Sequence, residues 1–151
     1  MASKNKLVTG KSYTLAALFS GDNKIFITDL QRDYCWGNPI HTEEKKELVS
    51  GFVSTLIERY DSYTYSVNNI PTEQHDTLNL GLIYGYESPE CHIQLCDGQQ
   101  RITTLFLLLG MLNKKSADNI FQKLLISDNE YLNDDKDPYL QYAIRESSLY
   151  F

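Results

Sequence analysis

Residues 92–110 read HIQLCDGQQRITTLFLLLG, and two features of this stretch conflict. Its second half is apolar enough to be a buried helix. Yet that helix is entered through Asp97-Gly98-Gln99-Gln100-Arg101, five residues that are small, polar or charged. The alternation before Asp97 reads as a strand, so the segment predicts a strand, a turn and a core helix in succession. Asp97 is a good helix cap, with Gln100 three residues on as its capping-box partner. That account leaves Gly98 and Arg101 unexplained. Glycine in a first turn lowers stability unless the backbone must approach something closely, and a cation near the positive end of a helix dipole is disfavoured. Both choices make sense if an anion docks at the mouth, where backbone N–H groups, the dipole and a guanidinium converge. Thr103 and Thr104 offer hydroxyls or simply packing. An anion site and a plain cap, with Arg101 paired to an acidic neighbour, both stay open on these residues alone. The spacing is not that of a Walker loop.

Working outward, Leu80–Tyr86 and Cys91–Cys96 read as two strands of a hairpin joined by Ser88-Pro89-Glu90. Upstream, residues 13–19 suit a short helix, and Ile25 and Ile27 alternate with Phe26 in a strand over Lys24–Thr28. A loop follows, Gln31-Arg32-Asp33-Tyr34-Cys35-Trp36, closed by Gly37 and Pro39. Thr42 is placed to cap a helix to about Tyr60, with Leu48, Phe52, Leu56 and Tyr60 at i, i+4 spacing. Residues 61–79 read as a long surface loop or insertion. Beyond Asn113, residues 117–126 suit another helix, and 127–151 read as an acidic connector entering a further helical part. The chain ends on Tyr150-Phe151, an unusual terminus that suggests a piece of a longer protein.

Composition bounds the function. With 151 residues, 42% of them hydrophobic and 23% charged, the chain suits one folded domain. The net charge of −6 argues against a stand-alone nucleic-acid binder, though not against a local basic cleft. The first residues lack the apolar run of a secretory leader, and Ile102–Leu112 is about half the roughly 20 residues of a membrane span. Three cysteines in such a chain suggest free thiols and a cytoplasmic setting without membrane contact.

The loop after the first strand mirrors DGQQR after the third. Arg32 beside Tyr34 and Trp36 suits a phosphate clamp with a stacking surface; equally, the aromatics could fill the core while Arg32 pairs with a carboxylate such as Asp97. If both segments leave the same edge of a sheet, they face one cleft. No metal site is expected, since Cys91 and Cys96 fall on opposite strand faces and no pair has zinc spacing.

The order QRDYCW, amphipathic helix, strand and DGQQRITTL resembles the N-terminal domain of the GmrSD-type restriction proteins, and the tail IRESSLYF is similar to a further element of that family. The resemblance runs from about Tyr13 to the end. It implies an α+β fold of the ParB/sulfiredoxin-like kind, with a domain over 1–126. It also implies binding and hydrolysis of a nucleotide, GTP or ATP, with Mg²⁺ as an accompanying ion. DNA would be met through the full-length protein, and a C-terminal or separate HNH-like nuclease domain would do the cutting. No cleavage is expected from this chain alone, which lacks such a histidine cluster.

Carried over residue by residue, the resemblance implies a site of Gln31, Arg32, Tyr34, Trp36, Gly98, Thr104, Arg145 and Glu146 around the nucleotide. Asp97, Gln99, Gln100 and Arg101 would serve the chemistry. The arginines would hold phosphates, a glutamine would orient water, and Asp97 would orient an arginine or help hold Mg²⁺. Two other readings compete. A non-catalytic module would sense DNA or a partner through Arg32 and Arg101. A buried ion network would make the same residues structural.

Overall fold

The computed structural model describes residues 7–29, 31, 34–36, 43–69, 78–127 and 137–143. The chain divides into two units, one of Met1–Asp33 with Ile83–Phe151 and one of Tyr34–Leu82.

In the first unit, helix α1 spans Leu15–Leu18, where residues 13–19 were expected to be helical. Thr14 caps it, its hydroxyl accepting from the Ala17 N–H at 3.1 Å. Leu18 and Phe19 then enter the core, and Gly21 turns the chain with φ 63°. Strand β1 covers Lys24–Ile27, close to the expected strand. Ile25 and Ile27 are almost fully buried, as suits a strand with neighbours on both sides.

The second unit is built on helix α2, Glu43–Asn69. It begins where expected but passes Tyr60, so 61–69 is helix rather than loop. Nothing in that stretch breaks a helix: it contains no glycine or proline. Its hydroxyls bond within the turn, as when Ser62 Oγ donates to the Glu58 carbonyl at 2.9 Å. Pro71 disfavours the helical conformation in the residue before it, and the helix stops just short. Residues 70–77 lie outside the described residues. In this unit Trp36 packs edge-on against Phe52, with ring centroids 5.9 Å apart.

Back in the first unit, strand β2 is Tyr84–Glu87 and strand β3 is His92–Asp97. They pair antiparallel, which is the expected hairpin shifted toward the C-terminus. The shift has a local cause: Gly81 takes φ 93°, and its N–H is held by Asn79 Oδ1 at 2.8 Å. A residue in that turn conformation cannot continue a strand. Cys91, expected in β3, instead sits in the turn with φ 63°.

Helix α3 runs Gln99–Lys115, with Lys114 and Lys115 complementing the dipole in its last turn. Helix α4 is only Gln122–Leu125, shorter than the expected 117–126. Buried Asn113 closes the link between them, accepting from the Phe121 N–H and donating to Gln122 Oε1, both at 3.0 Å.

Strand β4, Leu140–Tyr142, corrects the reading of 127–151 as a connector outside the domain. Tyr139 and Leu140 are buried in the same core as Ile25 and Leu95. The acidic run before them masked a three-residue strand that shows no periodicity.

The sheet order is β2-β3-β1-β4. β1 lies parallel to β3, with Ile25 opposite Ile93, and parallel to β4, with Ile25 opposite Leu140. A mixed sheet with helices makes the unit α+β. α3 packs on it through Ile102 and Leu109, and Phe19 meets Phe106 edge-to-face at 5.4 Å. Among the described residues no helix is long and apolar enough to cross a membrane.

Candidate functional site at the carboxyl ends of the parallel strands

Parallel pairing decides where the motifs lie. β1 and β3 are neighbours running the same way, so the segments that follow them leave from the same end of the sheet. Gln31, the first residue of the QRDYCW segment, donates from Nε2 to the Cys96 carbonyl at 3.0 Å. Its own N–H closes a turn on the Thr28 carbonyl at 3.1 Å. The start of one motif is thus hydrogen-bonded to the strand residue just before Asp97. β4 ends here as well, where the Ala143 N–H donates to the Ile27 carbonyl at 2.9 Å. In open α/β sheets, the carboxyl ends of parallel strands are where ligands are received.

The mouth is not capped as expected. Asp97 stays in strand β3, opposite Tyr84, and is exposed. Gly98 is the N-cap residue of α3 and makes no side-chain cap bond. It takes φ 92°, and a Cβ there would stand 2.6 Å from Ile83 Cγ2. Glycine is therefore required both by the left-handed turn and by Ile83 pressing on it. One left-handed residue converts strand to helix so abruptly that Asp97 never reaches the cap position. The expected Asp97–Gln100 capping pair does not form. The glycine that had no explanation in sequence makes the turn, and the carboxylate is left at the surface.

Along α3, Gln99 and Gln100 are buried, Arg101 is half-buried, and Thr103 and Thr104 are buried. Thr104 Oγ1 donates to the Gln100 carbonyl at 2.8 Å, inside its own helix. Thr103 reaches another element, its hydroxyl hydrogen-bonded to that of Tyr142 at the end of β4. Tyr142 fell in a segment read as connector, and no periodic signal flagged it. Tyr34 and Trp36 are half-buried in the second unit. Arg32, Arg145 and Glu146 lie outside the described residues.

The opposite end of the sheet holds a cation of another kind. Lys24 opens β1 and is buried. Its ammonium bonds Ser127 Oγ and, at 3.0 Å, the Asp137 carbonyl, and it lies 5.1 Å from the centre of the Tyr139 ring. Burial lowers its pKa from the ordinary lysine value, while the Asp137 and Asp22 carboxylates act in the other direction. A lysine heading the apolar run KIFI was the signal for it.

Among the described residues no group of three or more His, Cys, Asp or Glu side chains could hold a metal ion.

The family described as GmrSD restriction endonuclease, N-terminal domain, matches residues 15–150, and the chain belongs to it. It is therefore a restriction-type defence module. No curated protein and no solved structure matches the chain.

Proposed function

We propose that this chain is a nucleotide-binding domain, hydrolysing GTP or ATP, that regulates a restriction system. The observation that carries the reading is the parallel pairing of β1 with β3. It sets Gln31 against the residue preceding Asp97 and puts the start of the family's first motif beside its second. In this reading the fold is of the ParB/sulfiredoxin-like kind. Arg101, half-buried at the start of a core helix, holds phosphate and stabilises charge developing on the transferred group. Asp97, exposed and free of capping duty, orients that arginine or joins Mg²⁺ carried by the nucleotide. Gln99 and Gln100 are buried at the start of the helix, with Thr104 bonded to the Gln100 carbonyl, and in this reading one carboxamide orients the attacking water. Gly98 makes the turn. The DNA and the HNH-like nuclease belong to the rest of the restriction system, and this domain gates or powers their action.

Thermal unfolding with and without GTP, ATP and Mg²⁺ tests the reading. A ligand present at about 100 times its Kd stabilises the folded state by roughly 2.7 kcal/mol, a readable rise in Tm. The expected result is a rise that disappears in a folded Arg101→Ala variant. A well-folded wild type that no nucleotide stabilises would instead favour a non-catalytic sensing module.

A further inference from the structure

β4 brings to the mouth a side chain that the motifs do not include. Tyr142 is the last residue of that strand, paired in register with Ile27, and about half of it is exposed. Its hydroxyl bonds Thr103, which is buried in α3 two residues beyond Arg101. The next residue, Ala143, is held to the Ile27 carbonyl by its backbone. The end of β4 is thereby fastened to the central strand on one side and to the helix on the other.

A buried threonine in a helix readily satisfies its hydroxyl on a carbonyl one turn back, as Thr104 does. Thr103 has that option in the same helix but spans to a different element. The approach to α3 is held on several sides: Gln31, past the end of β1, bonds the Cys96 carbonyl in β3 three residues ahead of the helix, Ile83 lies against Gly98 from just ahead of β2, and Tyr142 bonds the helix itself from β4. Of these ties, Tyr142–Thr103 is the one between two side-chain hydroxyls. Groups that must meet a phosphate need their supports held to about 0.5 Å.

We propose that Tyr142 is a positioning residue of the mouth. Through Thr103 its hydroxyl fixes the first turns of α3 against β4, and so sets where Arg101 stands relative to the three strand ends. The effect on ligand binding rests on the nucleotide reading above; the brace itself does not.

Amide hydrogen exchange over residues 99–104 in the unliganded chain reads the brace directly. Tyr142→Phe and Thr103→Val each remove one hydroxyl and nearly keep the shape, whereas Thr103→Ser keeps the bond. The first two should speed exchange by on the order of 2- to 10-fold, the scale of one lost hydrogen bond. The double variant should go no further than either single one, because both remove the same contact. Thr103→Ser should match wild type. Unchanged exchange in Tyr142→Phe would overturn the brace whether or not any nucleotide binds. GTP and ATP affinities of the same variants, taken from melting shifts, read the positioning. Tyr142→Phe should weaken binding several-fold while Thr103→Ser does not. A loosened helix with unaltered affinity would make the contact one of stability only and overturn the positioning role. A wild type that binds no nucleotide would sink the proposed function, and the exchange data would then decide the brace alone.

Discussion

At the amino end of the parallel strands a lysine is walled in; at the carboxyl end an arginine reaches the surface. Lys24 meets a hydroxyl, a backbone carbonyl and an aromatic ring, all from the segment that leads into β4. Its charge is committed to holding that segment onto β1. Arg101 stands half-buried on the first turn of a helix whose cap residue has no side chain, after an exposed carboxylate. The two cations differ in burial and in place. Lys24 is buried among groups of its own chain, whereas Arg101 is half-buried at a helix mouth, where the proposed function has it meet a phosphate.

Lys24→Ala should give the largest loss of stability. It removes the ammonium from buried Ser127 and from the Asp137 carbonyl, and leaves the space of a buried side chain empty, at about 3 kcal/mol by denaturant unfolding. Lys24→Met, which keeps the apolar stem, should cost less. If Lys24→Ala were neutral, the amino end would not be the structural one. Gly98→Ala comes next, at about 2 kcal/mol, because an L-residue must adopt φ 92° with its Cβ against Ile83. A neutral result would mean that the turn can relax and that its geometry does not set the mouth.

Arg101→Ala should change stability by less than about 1 kcal/mol while abolishing the nucleotide-dependent rise in Tm. Unfolding comparable to that of Lys24→Ala would erase the distinction between the two ends. It would instead assign both cations to structural ion networks. The smallest effect is on pH dependence. Lys24 has a folded pKa below its unfolded value of 10.5, because burial penalises the charged form. Between those two values the unfolded chain holds more protons, so this group's contribution to stability rises with pH and levels off above 10.5. The stability of wild type relative to Lys24→Met should therefore increase as pH is raised toward 10.5. A relative decrease would mean that Asp137 and Asp22 outweigh burial.

Much of this arrangement was legible in the residues. KIFI and HIQLCD carry enough β-branched and apolar character to read as strands, and the apolar run after DGQQR could only be a core helix. What periodicity does not convey is the direction in which strands pair, so only the fold shows that Gln31, at the start of one segment, lies against Cys96, just ahead of the other. The misread cap has a different cause. Aspartate followed by glutamine three residues later fits a capping box, but a glycine between them can turn the chain one residue later and leave the aspartate in the strand. β4 was hidden because three residues give no period, and its neighbours are acidic. The continuation of α2 was hidden because residues 61–79 are polar and carry Asn68-Asn69 and Pro71, which together suit a loop, although neither asparagine breaks the helix and Pro71 lies beyond its end. For Arg32, Arg145 and Glu146 the family resemblance is the basis of assignment.

The place of β1 in the sheet bears on how the chain must be made. Its four residues are synthesised ahead of both their neighbours: Ile25 finds one partner at Ile93 and the other only at Leu140. At about 5–20 residues per second, the second flank of an apolar strand waits roughly 6–20 s for its neighbour to be synthesised. During that interval the nascent chain carries an open edge capable of joining another copy. Shortening the chain before Leu140 would make that exposure permanent, so loss of β4 should register first as aggregation during expression.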